Sequence, residues 1–129
     1  MNGFDGTDFE EMAFIGYQAE ATVADGDAPS RLIFGTTSDG SGATTEKMRL
    51  TSAGRLGVGT TSPSAPFVVS NGGAAGMELH PELTTDTNRL TNYDRTASAY
   101  MNFKLDALTQ QFNISGSEIM RLTSTALGS

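Results

Sequence analysis

The sequence predicts an all-β fold, and three observations support this. Gly, Ser and Thr make up about a third of the 129 residues; Thr favours strands, whereas Gly and Ser favour turns. Apolar and polar residues alternate with a period of two between turns that contain Gly or Pro. Apolar residues form only 37% of the chain, so a single copy can bury only a thin core, and burial against further copies is expected.

The first half of the chain contains four predicted strands. Odd positions from residue 13 to 23 are apolar, and the even positions become polar after Phe14, which predicts a strand with one buried face. A meander with short connections follows. Its three strands are predicted at 31–37, 46–51 and 55–59.

The middle strand of this meander has two different faces. Met48 and Leu50 point to one side, and Lys47 and Arg49 point to the other side, where we expect them to be in water.

The two prolines in residues 60–66 interrupt the pattern and predict a joint between two β-modules, at 1–63 and 64–129. The second module is expected to be a truncated repeat of the first. Its short strands are predicted within 67–70, 77–83, 89–95, 99–107, 111–115 and 118–123.

The evidence for a repeat is one well-matched segment. Met48 and Met120 lie 72 residues apart, and the residues around them stay in register. The matched pairs are Glu46 with Glu118, Arg49 with Arg121, Leu50 with Leu122, Thr51 with Thr123 and Ser52 with Ser124.

The predicted strand at 55–59 has one face without side chains. Leu56 and Val58 cover one face, while Gly57 and Gly59 leave the other face as bare backbone. Glycine in a strand has an entropic cost, so two at this spacing need a reason. One is a β-bulge at a sheet corner, and another is close approach of a second backbone, as around the axis of a trimer.

The segment EKMRLTSAGRLGVGTTSP, residues 46–63, resembles a recurring segment of bacteriophage tail fibres and tailspikes that often precedes a self-cleaving chaperone domain. The matching residues are Glu46, Met48, Arg49, Leu50, Gly54, Gly57, Val58, Gly59, Thr60 and Pro63, and the first half of the motif matches again at Glu118, Met120, Arg121 and Leu122. With the strands that precede each copy, the resemblance covers about half of the chain.

The resemblance implies an elongated, intertwined homotrimer, a β-helix or β-prism built from short strands and Gly/Ser/Thr-rich turns. The residues expected in its shared core are Met48, Leu50, Leu56, Gly57, Val58, Gly59, Met120 and Leu122.

The implied function is a non-enzymatic part of a phage tail fibre or tailspike, as shaft or receptor-binding tip, in the extracellular virion. The expected partners are further copies of the chain, other phage tail proteins and a glycan or protein receptor on the bacterial surface. Two alternatives are a monomeric β-sandwich carbohydrate-binding module and a fragment of a capsule depolymerase.

The charge and composition argue against several other classes. A net charge of −7 disfavours nucleic acid and anionic membrane surfaces, which attract basic patches. No apolar run approaches the ~20 residues of a membrane span. The absence of cysteine excludes disulfides and thiol nucleophiles, and no cofactor is expected.

Metal binding is not expected either. His80 could form a three-imidazole ring on a trimer axis, but its parity matches Glu78 and Glu82, which favours solvent. The Asp-Gly pairs that begin at Asp25 and Asp39 lack the further oxygens of a calcium loop and are typical of turns.

The acidic residues do not form a recognisable catalytic pair. Glu10 and Glu11 are adjacent and diverge, and Glu78 and Glu82 would lie about 13 Å apart along a strand, beyond the usual separation in glycosidases. With one histidine and no nucleophile motif, the chain is not expected to be an enzyme.

Tyr93 and Tyr100 are the candidate glycan-contact residues. Both lie beside Asn, Asp or Arg, and sugar sites combine an aromatic face with such polar groups. Cross-strand packing of the two rings is the alternative explanation.

Overall fold

A computed structural model describes residues 2–4, 9–107 and 109–123, and these form an all-β protein in which the described residues contain no helix. Thr, Val and Ile in short alternating runs favour the strands, and Gly, Asp and Ser favour the turns between them. The strands are β1 (Asn2–Phe4), β2 (Phe9–Glu11), β3 (Ala13–Ala19), β4 (Ser30–Thr37), β5 (Thr44–Leu50), β6 (Leu56–Val58), β7 (Phe67–Ser70), β8 (Ala75–Thr84), β9 (Thr87–Asp94), β10 (Ala99–Tyr100), β11 (Thr109–Ile114) and β12 (Ser117–Thr123).

Eight of these strands, β3 to β10, form one sheet in which the spatial order follows the chain order. Every neighbouring pair is antiparallel except β6 and β7, which are parallel. β1 pairs with β2, and β11 pairs with β12, in two separate two-stranded sheets. The main sheet runs unbroken through the predicted joint at 60–66, which is the connection between the two parallel strands.

One face of the main sheet is apolar across seven strands. Two rows of side chains in cross-strand register make up this apolar face. The first row is Tyr17, Leu32, Leu50, Leu56, Phe67, Leu79 and Leu90, and the second is Ile15, Phe34, Met48, Val58, Val69 and Met77.

None of these thirteen side chains is buried. Tyr17 is 87% exposed and Ile15 is 72% exposed, so the strand that was predicted to bury one face leaves that face open in the single chain. The strongest contacts between strands are those of hydrogen-bonded neighbours, so the sheet is a single layer. This differs from the two packed sheets of the β-sandwich alternative.

The opposite face carries a row that lies between the two apolar rows and is largely covered. Its members are Gly16, Ile33, Arg49, Gly57, Val68, Glu78 and Thr91. Residues 59–66, the crossover from β6 to β7, cover part of this face, and Ala65 within the crossover is only 1% exposed. The buried apolar residues of the described chain are Ile33, Ala65 and Val68, so the core of one copy is as thin as the composition predicts.

Arginine side chains hold the crossover in place. Arg49 donates from Nη1 to the carbonyl oxygen of Thr61 at 2.8 Å, and Arg55 donates from Nη1 to that of Pro63 at 3.2 Å. Arg49 is buried, which corrects the prediction that it points into water. A buried guanidinium needs a counter-charge and acceptors, and Glu46 and Thr61 provide them.

Gly57 and Gly59 are required by contacts within one chain, which corrects their predicted place in the apolar core. Gly57 lies on the face opposite Leu56 and Val58, and a Cβ there would be 2.9 Å from the carbonyl oxygen of Thr60. Gly59 has φ of +69°, and a Cβ there would be 2.0 Å from the carbonyl oxygen of Ser70. The close approach to a second backbone is therefore real, but that backbone belongs to the chain's own crossover and β7.

The repeated Glu-x-Met-Arg-Leu segment forms the same bulged hairpin twice. Met48 pairs with Phe34 and Glu46 with Gly35, so the register shifts at Lys47. In the second copy, Met120 pairs with Phe112 and Glu118 with Asn113, with the same shift at Ile119.

This bulge explains the spacing of the charged residues. Residues three apart in a regular strand point to opposite faces, but one extra residue between them brings both side chains to the same face. Glu46 and Arg49 form an ion pair at 2.5 Å, and Glu118 and Arg121 form the equivalent pair. The last matched position of the second copy, Ser124, lies outside the described residues.

The predicted strands agree closely with the observed ones, apart from two ends. The strand predicted at 13–23 ends at Ala19, and the one predicted at 99–107 contains only Ala99 and Tyr100. Of the remaining predicted core residues, Met48, Leu50, Leu56 and Val58 share the apolar face. Met120 and Leu122 are half-exposed on the separate β11–β12 hairpin.

A larger side chain in the tight contact beneath the crossover should destabilise the fold. Gly57→Val should lower the free energy of unfolding by about 2 kcal/mol or more, because the added side chain displaces Thr60 and Pro63. Lys47→Val, an exposed residue on the neighbouring strand, should change it by less than about 1 kcal/mol. Urea unfolding of the two variants measures both values, and equal small effects would contradict the assignment.

Candidate functional site

The candidate site lies on the crossover-covered face of the sheet, around Glu78. β8 places Glu78 in the middle of that face, where its side chain is only 2% exposed. A carboxylate this deeply buried requires several hydrogen-bond donors. Three side chains supply them, from three parts of the chain: Ser64 in the crossover, His80 on β8 and Arg95 just after β9.

Each oxygen of the Glu78 carboxylate has two side-chain hydrogen-bond partners. Arg95 binds both oxygens, from Nε to Oε1 at 2.9 Å and from Nη2 to Oε2 at 2.5 Å. The Ser64 hydroxyl donates to Oε1 at 2.7 Å, and His80 Nε2 lies 2.9 Å from Oε2. Burial by itself would raise the pKa of Glu78, but the hydrogen bonds from these three groups outweigh it and lower the pKa to about 2.

A carboxylate with this pKa stays ionised at neutral pH. Glu78 is therefore suited to hold Arg95 and the crossover in position, and not to donate a proton as a general acid. The crossover is therefore bound at two points: Ser64 connects it to Glu78, and Arg49 donates to the carbonyl oxygen of Thr61.

Arg95 also connects the cluster to the two predicted glycan-contact residues. Its guanidinium carbon lies 4.9 Å from the centre of the Tyr93 ring, within the range of a cation–π contact. Tyr93 and Tyr100 pair across β9 and β10, with ring centres 5.3 Å apart and planes at 76°. The alternative explanation, cross-strand packing of the two rings, is confirmed. Tyr100 is nevertheless 74% exposed, so most of its surface is accessible to a ligand.

His80 is placed differently from the sequence prediction. It was expected to face solvent with Glu78 and Glu82, but its side chain is only 11% exposed because it binds Glu78 on the covered face. The sheet register shifts between His80 and Thr84, and Glu82 has φ of +45°, so the regular 13 Å spacing of the two glutamates does not apply.

The other acidic candidates lie elsewhere. Asp25 and Asp27 are in the turn between β3 and β4, and Asp39 is in the turn between β4 and β5. Glu11 accepts a hydrogen bond from Thr44, the first residue of β5. Within the described part of the chain, no three His, Cys, Asp or Glu side chains are grouped closely enough to hold a metal ion.

The Glu78 cluster was not predicted from the sequence, although the sequence contains a pattern at this position. A glutamate and a histidine alternate with Met77 and Leu79 on a strand whose other face is apolar. Such a pattern usually indicates a solvated face. The covering crossover and the arginine 17 residues further along become visible only when the chain is folded.

Comparison of the chain with protein-family models, curated proteins and solved structures found no significant match. Among the residues that the structure describes, no helix has the length and apolar character needed to cross a membrane.

The low pKa of Glu78 predicts a pH-dependent contribution to stability. The group is ionised in the folded state down to about pH 2 but has an ordinary pKa of 4.5 when unfolded, so its contribution is present above pH 4.5 and is lost as the pH falls towards 2. We expect Glu78→Gln to cost about 2 kcal/mol at pH 7, with allowance for the half-exposed Arg95.

Urea unfolding at pH 7 and at pH 2.5 measures this difference. The gap between the wild type and Glu78→Gln should shrink at the lower pH. Glu10→Gln, which removes a carboxylate outside the cluster, serves as the control and should show no such change. A gap that is the same at both pH values would refute the assignment.

Proposed function

We propose that this chain is a structural, non-enzymatic segment of a phage tail fibre or tailspike that assembles as a homotrimer and contributes to attachment to the bacterial surface. One observation carries the proposal: thirteen apolar side chains form a continuous face on a single-layer sheet, and none of them is buried within the chain. Soluble monomers rarely expose a contiguous apolar face of this extent.

Further copies of the same chain are the occupants that best fit this face. Among the described residues the buried core is formed by Ile33, Ala65 and Val68. Such a small core cannot offset the entropy of ordering so many residues, whereas pooling the apolar faces of three chains gives a shared core. The face itself carries no charged residue in the two rows from β3 to β8, so copies can meet there without burying an unpaired charge.

The motif resemblance supports the phage assignment at the level of individual residues. Glu46, Arg49, Gly57 and Gly59 each have a defined role in the bulge or beneath the crossover. The bulged hairpin recurs at Glu118 and Arg121, so the motif is a folding unit that can be used repeatedly along a fibre. With the apolar face turned inward, the opposite face with Glu78 and the tyrosines is turned outward, towards a receptor.

Mass in solution tests the assembly. Light scattering on the purified chain should give about 40 kDa, three times the 13.5 kDa of one copy. Leu79→Asp, in the middle of the apolar face, should shift the mass to that of one copy because a carboxylate cannot be buried there unpaired.

Val23→Asp is the matched control. It introduces the same charge at an exposed apolar residue in the turn between β3 and β4, and it should leave the trimer intact. A stably folded 13.5 kDa species for the wild type at micromolar concentration would overturn the proposal.

A further inference from the structure

The crossover-covered face carries a groove made of two adjoining cavities. The larger, of about 650 Å³, lies between the crossover and the turn that joins β7 to β8. The smaller, of about 210 Å³, lies at the β9–β10 end of the sheet. Glu78 and Arg95 line both cavities, so the ion pair stands at the junction of the two.

The smaller cavity contains an unused hydrogen-bonding group. Thr91 lines it and is only 6% exposed, yet the hydroxyl oxygen has no hydrogen-bond partner in the described chain. Buried hydroxyls are nearly always satisfied, so an orphan in a cavity wall indicates a missing polar partner. The cavity is lined by Glu78, Arg89, Thr91, Tyr93, Arg95 and Tyr100.

The cavity also has a surplus positive charge. Arg95 is neutralised by Glu78, whereas Arg89 makes no ion pair or side-chain hydrogen bond with any described residue. One net positive charge therefore remains in the cavity, although the chain as a whole has a net charge of −7. This local charge favours a single anionic group, and the overall charge opposes a polymer that carries a charge on every unit, such as nucleic acid.

The remaining walls are aromatic. Tyr100 presents an open ring at the rim, held edge-on against Tyr93, which in turn lies beneath Arg95. An aromatic rim beside hydroxyl and guanidinium donors suits a ring that has both C–H and hydroxyl groups. The cavity is smaller than that of a typical drug-sized site and has room for one sugar ring.

We infer that this cavity binds a carboxylated sugar, such as the hexuronic acid of a bacterial surface polysaccharide. Arg89 binds the carboxylate, the Thr91 hydroxyl bonds to a ring hydroxyl, and Tyr100 contacts the C–H face. The polysaccharide chain continues along the larger cavity, where Lys47 forms part of the wall. This inference rests on the proposed attachment function, for which it names the receptor chemistry.

Binding is tested with methyl glucuronide, methyl glucoside and acetate, measured by NMR titration of the full chain. The first two probes differ only in the carboxylate, and acetate provides the carboxylate without the sugar. We expect methyl glucuronide to bind at least about tenfold more tightly than either of the others, which is the size of one charge-assisted hydrogen bond. Equal affinity for all three, or tighter binding of acetate, overturns the inference.

Two variants separate recognition from structure. Arg89→Gln should reduce the affinity for methyl glucuronide about tenfold and leave that for methyl glucoside unchanged. Arg31→Gln removes the same charge from β4, about 24 Å away across five strand spacings, and should leave both affinities unchanged. An equal loss in the two variants would mean a general charge effect and would contradict the assignment of Arg89.

Thr91→Val gives the sharper test. A hydroxyl that stabilised the fold would cost stability on removal, whereas an unpartnered one should cost none, so the variant should unfold at the same or a higher urea concentration. The same variant should bind methyl glucuronide several-fold more weakly. Reduced stability with unchanged affinity would refute the role of Thr91 in the cavity.

Light scattering on the wild-type chain used in the titrations separates this inference from the proposed function. A trimer that binds none of the probes refutes the sugar site alone. A monomer that still prefers the glucuronide refutes the trimer and leaves the sugar site standing.

Discussion

The buried guanidinium of Arg49 holds the fold of the motif together. It pairs with Glu46 across a β-bulge and donates to the carbonyl of Thr61, so one charged group connects β5 to the crossover. A buried charge without partners would be very costly, so the bulge, the ion pair and the position of the crossover depend on one another. Gly57 completes the arrangement, because the crossover can lie this close to the sheet only above a residue without a side chain.

This arrangement makes the two faces of the sheet different. The crossover covers one face with polar anchors, which allows that face to bury Glu78 and Arg49 with their partners. The other face keeps two rows of apolar side chains free of any covering segment in the described chain. An exposed apolar face promotes aggregation of a monomer, but the same face can form the interface of an assembly that closes around an axis. We regard the exposed face as the strongest support for the proposed trimer.

The polar face gives the proposed attachment function a location. Glu78 fixes Arg95, Arg95 lies over Tyr93, and Tyr93 supports the exposed ring of Tyr100. Each member contacts the one before it, and a cavity wall built from such contacts would lower the entropic cost of binding. In a trimer, three such cavities would face outward and act together on a repetitive surface ligand.

The amino-acid sequence predicts the strands and their apolar and polar faces, because the period of two is a local property of the backbone and of neighbouring side chains. It also identified the repeated Glu-x-Met-Arg-Leu segment and the pairing candidates Tyr93 and Tyr100. The segments that cover each face are seen only in the folded chain. Arg49 and Glu78 carry the pattern of solvated residues, yet both are buried because the crossover binds each of them and the distant Arg95 binds Glu78. Such contacts join residues far apart in the chain, and strand periodicity contains no information about them.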